Sequence, residues 1–190
     1  YKGTANAIYQ NISFIDSYDP EYVIILSGDQ ICKQDYADFL RFHKEKGAEF
    51  SVAVMEVDWK EASRFGLMVA DEDDKITEFQ EKPPVPKSNL ASMGIYIFNW
   101  DILKKYLEED EADPNSKNDF GMNIIPALLR DGRKMYAYHF NGYWRDVGTI
   151  DSLWEANMEV LDPENSGIDI FDEKWKIYSR NPVLPAQKIG

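Results

Sequence analysis

The chain has 190 residues, 44% of them hydrophobic and 14% aromatic, which is the composition of a folded globular protein with room for one good core. Its formal net charge of −13 argues against nucleic acid as a partner, because phosphate backbones are bound by clustered lysine and arginine. The single cysteine excludes an intramolecular disulfide, and no apolar run approaches the roughly 20 residues of a membrane span, so we expect a cytoplasmic protein without a membrane partner.

The first quarter of the sequence predicts an alternation of helices and strands. Apolar side chains at helical spacing indicate a helix over residues 4–18 that Thr4 caps, and a strand follows to residue 27. A second helix over 34–46 and a strand over 50–57 repeat this order. The alternation is typical of a parallel sheet wrapped by helices. Five consecutive apolar residues in the first strand indicate that it is buried on both faces.

Beyond the second strand the pattern changes. Residues 66–70 and 75–79 flank an acidic turn and predict a hairpin, and residues 91–98 predict another strand. Asn99 is predicted to cap a helix to about residue 109, and the acidic run 108–111 is typical of a solvated face. The remaining predicted elements are a helix over 119–129, a strand over 134–140 and a helix to about residue 161 that Thr149 caps. Pro126 either kinks the first of these helices or lies in the first turn of a shorter one.

Two distant aspartates are the candidate metal ligands. Asp29 comes directly after the first predicted strand, and Asp146 lies in residues 143–149, Tyr-Trp-Arg-Asp-Val-Gly-Thr. Open α/β sheets bind ligands just beyond the carboxyl ends of their strands, so Asp29 stands at the expected position for a site. Mg²⁺ prefers oxygen ligands and takes one or two carboxylates from a protein beside a phosphate. We therefore interpret Asp29 and Asp146 as ligands of Mg²⁺ in a phosphate site.

Seven short stretches occur in an order that resembles the sugar-nucleotide pyrophosphorylases, or sugar nucleotidyltransferases. The resemblance covers essentially the whole chain and is greatest to the bacterial members that make ADP-glucose. Each stretch is weak evidence, but seven in register argue against an accidental match. They are Tyr1-Lys2-Gly3-Thr4-Ala5, Ser27-Gly28-Asp29, Phe65-Gly66, Phe79-Gln80-Glu81-Lys82-Pro83, Ala91-Ser92-Met93-Gly94, Asn118-Asp119-Phe120-Gly121 and Tyr143-Trp144-Arg145-Asp146-Val147-Gly148-Thr149.

The resemblance implies that ATP and glucose 1-phosphate react to give ADP-glucose and pyrophosphate in glycogen biosynthesis. It implies an α/β, Rossmann-like fold with a mixed, mainly parallel sheet and helices on both faces. Residues 1–161 would be the C-terminal part of the catalytic domain, and 162–190 a linker toward a left-handed β-helix. The family's Gly-rich phosphate loop and its β-helix are not among these residues, so we expect a piece of a longer protein, inactive alone and tetrameric (homo- or hetero-) when intact.

The resemblance also implies roles for individual residues. Asp29, Asp146 and Lys82 would be catalytic, with Lys82 holding the sugar phosphate as a compact point charge and Glu81 accepting hydrogen bonds from glucose. The other substrate-binding positions are Tyr1, Gly66, Ser92, Asp119 and Trp144. The nucleotide-binding positions are Gly3, Thr4 and Ala5, where small residues would let the backbone approach the adenine. Ordinary structural roles are the alternatives, for example a hairpin glycine at Gly66 or core packing at Trp144.

Two other functions stay open at this point. The first is a pyrophosphorylase for another sugar nucleotide, of the UDP-glucose, dTDP-glucose or GDP-mannose type. The second is a non-catalytic regulatory subunit of the same family, against which the presence of both Asp29 and Asp146 argues.

Overall fold

The computed structural model of the chain describes residues 1–178, and the last part of the predicted linker, residues 179–190, lies outside the described residues. The chain divides into two compact units. The first consists of Tyr1–Gly28 and Gln34–Asn141, and the second of Asp29–Lys33 and the chain from Gly142 onward. Among the described residues, no helix has the length and apolarity that crossing a bilayer requires.

The described chain contains seven α-helices and eight strands, and it includes the hairpin that the sequence predicts over residues 66–79. The helices are α1 (Thr4–Tyr9), α2 (Ile12–Asp16), α3 (Tyr36–Glu45), α4 (Trp100–Ala112), α5 (Ile125–Arg130), α6 (Ile150–Glu159) and α7 (Pro163–Ser166). The strands are β1 (Tyr22–Ile25), β2 (Gln30–Cys32), β3 (Phe50–Glu56), β4 (Gly66–Ala70), β5 (Ile76–Glu81), β6 (Leu90–Asn99), β7 (Met135–His139) and β8 (Trp144–Asp146). A π-helical turn, Phe120–Ile124, leads directly into α5.

The first unit is built on a six-stranded mixed sheet with β6 at its centre. One edge of β6 pairs with β3, and its other edge is shared by β1 and β4. These pairs and the β4–β5 hairpin are antiparallel, whereas β3–β7 is parallel. The expectation of a mainly parallel sheet is therefore wrong for the described residues, because β6 runs against all three of its neighbours. The expected double burial of β1 is also wrong, since β6 is its one described partner and its residues stay half-exposed.

Helices cover both faces of this sheet, which confirms the predicted α/β class. Alternate residues of β3, Phe50, Val52 and Val54, belong to a core that also contains side chains of α1, α4 and α5. The intervening residues face α3, where Ser51 lies 2.8 Å from His43 Nδ1. The period of two along each strand thus fills two separate layers of apolar side chains.

Two predicted helix caps are wrong because their side chains have other partners. Gly3, not Thr4, is the N-cap of α1, and the predicted helix 4–18 is interrupted between α1 and α2. Asn99 holds the N-cap position of α4 but makes no capping bond. Its Oδ1 instead lies 2.9 Å from Nε2 of the buried His43. Burial lowers the pKa of His43.

The second unit combines a two-stranded antiparallel ladder, β2–β8, with α6 and α7. Thr149 caps α6 as predicted, in a reciprocal arrangement with Ser152. Between Gly167 and residue 178 the chain has no helix or strand, and Lys33, which directly follows β2, binds it through Asp172 at 3.1 Å.

Candidate functional site

One group of predicted substrate residues lies at the end of the β4–β5 hairpin. Gly66, the first residue of β4, pairs with Glu81, the last residue of β5. A Cβ built on Gly66 would lie 3.1 Å from Glu81 Oε2 and 3.0 Å from the Phe79 ring. The Glu81 side chain therefore lies over Gly66 and occupies space that a side chain at position 66 would need.

The same carboxylate lies against Gly121 in the π-helical turn. A Cβ built on Gly121 would be 2.6 Å from Glu81 Oε2 and 3.4 Å from Asp119 Oδ1. Asp119 caps the turn, since its carboxylate accepts the Met122 amide and the Thr4 hydroxyl, each at 2.9 Å. The Glu81 and Asp119 carboxylates thus border one small volume above Gly121. Turns of this π-helical kind occur frequently at functional sites.

Ser92 and Tyr96 add two hydroxyl groups from β6. The Tyr96 hydroxyl is hydrogen-bonded to Ser92, whose Oγ also accepts the Gly94 amide at 3.2 Å. Burial raises the pKa of Tyr96, and the negative charges of Asp119 and Glu81 raise it further. The Tyr96 ring packs against Phe120, the residue between Asp119 and Gly121, with ring centroids 5.6 Å apart. We call Gly66, Glu81, Ser92, Tyr96, Asp119 and Gly121 the polar cluster.

Lys82 supplies a cation at the rim of the polar cluster. Its Nζ lies 4.0 Å from Glu81 Oε1, and its side chain is 66% exposed. The Lys82 backbone has a φ of 42°, in the left-handed region that residues with a side chain rarely adopt, and its amide donates to Phe65 O at 3.2 Å. Burial raises the pKa of Glu81; Lys82 opposes this and Asp119 adds to it. A hydrogen-bond acceptor and an anion-binding group therefore stand side by side.

The predicted nucleotide-binding residues Gly3, Thr4 and Ala5 lie against the loop that precedes the π-helical turn. The Ala5 amide donates to Asn118 O at 2.8 Å. A Cβ built on Gly3 would lie 2.4 Å from the same carbonyl oxygen and 2.6 Å from Lys117 O. The close approach at Gly3 is therefore to the backbone of this chain itself. Tyr1, ahead of this segment, is 87% exposed.

The acidic end of α4 holds this segment in place, which corrects the expectation that 108–111 is only a solvated face. Glu111 accepts hydrogen bonds from Lys2 Nζ at 2.5 Å, Asn6 Nδ2 at 2.8 Å and Asn118 Nδ2 at 3.2 Å. Asp110 accepts from Asn118 as well, at 3.1 Å. The bond from Lys2 lowers the pKa of Glu111. These partners are distant in sequence, so the run of charges alone gave no sign of them.

In the second unit, the candidate metal ligands lie at one end of the β2–β8 ladder: Asp146 is the last residue of β8, and Asp29 directly precedes β2. Gln30 pairs with Asp146, and Asp29 O accepts the Val147 amide at 2.9 Å. Paired strands lie about 4.8 Å apart. A Cβ built on Gly148 would be 3.4 Å from Asp146 Oδ2, so this carboxylate lies near the start of α6, where the helix dipole favours negative charge. Two carboxylates are the number that Mg²⁺ commonly takes from a protein beside phosphate oxygens.

The side chains beside Asp146 are bound within the same unit. Trp144 Nε1 donates to Gln30 Oε1 at 3.2 Å, which ties β8 to β2. Arg145 forms ion pairs with Glu155 and Glu159 of α6. These contacts fix both sides of the strand that carries Asp146.

The structure groups most of the predicted site residues. Gly66, Glu81, Lys82, Ser92 and Asp119 come together in the first unit, and Asp29, Asp146 and Trp144 in the second. Sequence reasoning missed Tyr96 and Gly121 as site residues. Tyr96 lies in an apolar strand whose pattern is typical of a buried core strand, so its sequence gave no sign of a site. Gly121 lies beside Asp119 in one of the seven motif stretches, and that position could have identified it.

The chain is similar to known proteins along its whole length. A family model described as nucleotidyl transferase matches residues 1–163. Over all 190 residues the chain is 68% identical to the glucose-1-phosphate adenylyltransferase of Clostridium beijerinckii and 66% identical to that of Clostridium acetobutylicum, covering 49% and 50% of those proteins. It is 62% identical to the glucose-1-phosphate adenylyltransferase of Desulforamulus reducens and covers 47% of it. The chain thus spans about half the length of the curated relatives it matches.

Proposed function

Since this chain belongs to the nucleotidyl transferase family, we propose that the protein transfers the adenylyl group of ATP to glucose 1-phosphate, giving ADP-glucose for glycogen synthesis and releasing pyrophosphate. The reported relatives that carry the name glucose-1-phosphate adenylyltransferase align with all 190 residues of the chain, at 62–68% identity. The observation that carries the proposal is the polar cluster with Lys82 at its rim, because it offers hydroxyl-binding groups and a cation at one place.

A sugar phosphate needs two kinds of group, and the polar cluster supports both. Glu81 is a hydrogen-bond acceptor with one oxygen held between two glycines, and Ser92 and Tyr96 add hydroxyls that both donate and accept. Lys82 is a point charge for the phosphate. Hydrogen bonds to a charged partner contribute about 1.5–3 kcal/mol each, so a few such contacts select one sugar phosphate.

Asp29 and Asp146 are proposed to hold Mg²⁺ in the second unit. When bound, Mg²⁺ supplies charge neutralisation for phosphoryl transfer, whose catalysis consists mostly of alignment and electrostatic stabilisation. The chain contributes the carboxylates of Asp29, which directly precedes β2, and of Asp146, the last residue of β8. Asp146 also lies close to the start of α6. Trp144 ties β8 to β2 and Arg145 ties it to α6, so the strand that carries Asp146 is held in place.

A nucleotide panel tests the proposal. Full-length protein that contains this chain is incubated with glucose 1-phosphate, Mg²⁺ and either ATP, UTP, dTTP or GTP, and pyrophosphate release is measured. We expect turnover with ATP and at least tenfold less with the other nucleotides. Preference for another nucleotide would instead support the alternative of a pyrophosphorylase that makes a different sugar nucleotide. Absence of any metal-dependent pyrophosphate release would favour the regulatory-subunit alternative.

The resemblance further supports a homo- or hetero-tetramer in the cytoplasm, with ATP and glucose 1-phosphate as ligands and neither nucleic acid nor membrane as a partner. The net charge of −13 and the single cysteine agree with this proposal. Light scattering coupled to size-exclusion chromatography of the full-length protein gives its assembly state directly.

A further inference from the structure

We propose that Gly121 is a positioning residue for Glu81, because its missing side chain leaves the space in which the Glu81 carboxylate is held for the sugar. This inference rests on the proposed function and adds a residue to it. Glu81 Oε2 would lie 2.6 Å from a Cβ at Gly121, a separation that real Cβ atoms essentially never show.

The backbone at Gly121 does not itself require glycine. Four glycines of the described chain have a positive φ, namely Gly47, Gly94, Gly132 and Gly167, and Gly121 is not among them. Alanine fits the helical backbone of the turn as well as or better than glycine does. Glycine is therefore required at position 121 because a Cβ would occupy the space that the Glu81 carboxylate fills.

The atom in the way is mobile, which separates a positioning role from a structural one. Glu81 Oε2 is the far end of a flexible side chain that is 34% exposed. A methyl group at position 121 would turn the carboxylate out of its place without displacing backbone. On the far side of the same volume, Asp119 is held by Thr4 and Met122 and cannot replace it. A Gly121→Ala protein therefore stays folded but presents its acceptor in the wrong place.

The test is a kinetic and binding comparison in the full-length protein. Gly121→Ala is expected to raise the KM for glucose 1-phosphate about 10- to 100-fold, the range for losing one hydrogen bond to a charged group, with the KM for ATP within about twofold of wild type. Titration calorimetry with glucose 1-phosphate alone is expected to show the same loss of affinity. An unchanged KM and affinity for glucose 1-phosphate would overturn the inference.

A rescue variant sharpens the test. Aspartate is one methylene shorter than glutamate, so Glu81→Asp withdraws the carboxylate from the added methyl group. Gly121→Ala combined with Glu81→Asp is expected to bind glucose 1-phosphate at least as tightly as Gly121→Ala alone, although Glu81→Asp by itself weakens binding. If the two changes instead multiply their losses, the carboxylate and the glycine act independently and the inference is wrong.

The control is Gly132→Ala. Gly132 has a φ of 67° and nothing within 4 Å of a built Cβ, so alanine there strains the backbone without contacting Glu81. It is expected to lower the melting temperature while leaving the KM for glucose 1-phosphate unchanged. An equal rise in KM in this control would assign the effect to general destabilisation and overturn the inference. A wild-type protein that binds glucose 1-phosphate but forms no ADP-glucose contradicts the proposed function, and the calorimetric comparison still decides the role of Gly121.

Discussion

Replacing Gly3 by alanine separates two explanations for a glycine at the start of the chain. Sequence resemblance assigns Gly3 to close approach of the nucleotide, whereas the structure places it against the carbonyl oxygens of Lys117 and Asn118, 2.4–2.6 Å from a built Cβ. Both neighbours are backbone atoms, and they cannot turn aside as a side chain can. The backbone of Gly3 is extended, with φ −176° and ψ −177°, so conformation alone would accept any residue.

The expected loss of stability follows from the contacts that must move. Relief of the clash requires the start of α1 to leave the 117–118 backbone, which breaks the 2.8 Å bond from the Ala5 amide and the 2.9 Å bond from Thr4 to Asp119. A net hydrogen bond contributes about 0.5–1.5 kcal/mol, and overpacking that is not relieved costs about 1–3 kcal/mol. Whichever route the chain takes, Gly3→Ala should lower the free energy of unfolding by about 1–3 kcal/mol.

Urea unfolding followed by circular dichroism measures this loss. Gly28→Ala is the matched control, because a Cβ at Gly28 meets nothing within 4 Å and its φ is not positive. It should change the free energy of unfolding by less than about 0.5 kcal/mol. An unfolding midpoint of Gly3→Ala equal to that of the control, together with a weaker affinity for ATP, would refute the structural explanation and restore the nucleotide one.

Three further predictions concern the site and the core. In the full-length protein, Asp29→Asn should lower turnover at least about 100-fold because a metal ligand is lost, and turnover within tenfold of wild type would count against that role. Lys82→Ala should raise the KM for glucose 1-phosphate about 10- to 100-fold in steady-state assays and leave that for ATP nearly unchanged; a rise confined to ATP would be the contrary result. Because burial lowers the pKa of His43, the unfolded chain binds the extra proton, and stability should fall as pH drops below about 6.5. His43→Gln should flatten that decline in urea unfolding between pH 7.5 and 5, and an unaltered slope would exclude His43 as its source.

The sequence predicted elements well where the signal was local. The bounds of β3, β6 and the β4–β5 hairpin follow from apolar runs and the acidic turn between the hairpin strands, and Thr149 caps α6 as its neighbours suggest. Strand direction was not predictable in the same way. Strand direction depends on which distant strands pair. β6 pairs antiparallel with three strands that precede it in the chain, β1, β3 and β4.

Side chains with two possible partners were the other source of error. Thr4 and Asn99 are both good helix caps by residue type, but Asp119 and His43 lie close enough in the fold to bind them instead. The acidic residues at the end of α4 similarly have buried donors at Asn6 and Asn118. Of the candidate site, the motif residues were predictable by resemblance. Tyr96 was not, because only the fold shows that its hydroxyl lies beside Ser92.

The β2–β8 ladder also has a consequence for how the protein is made. Gln30 and Trp144, which are bonded across the ladder, lie 114 positions apart in the chain. At the usual synthesis rate of about 5–20 residues per second, β2 is synthesised roughly 6–23 s before its partner strand. During that interval β2, next to the first aspartate of the proposed magnesium pair, has no partner strand on the nascent chain. The proposed magnesium site therefore cannot form until Asp146, near the end of the described chain, has been synthesised.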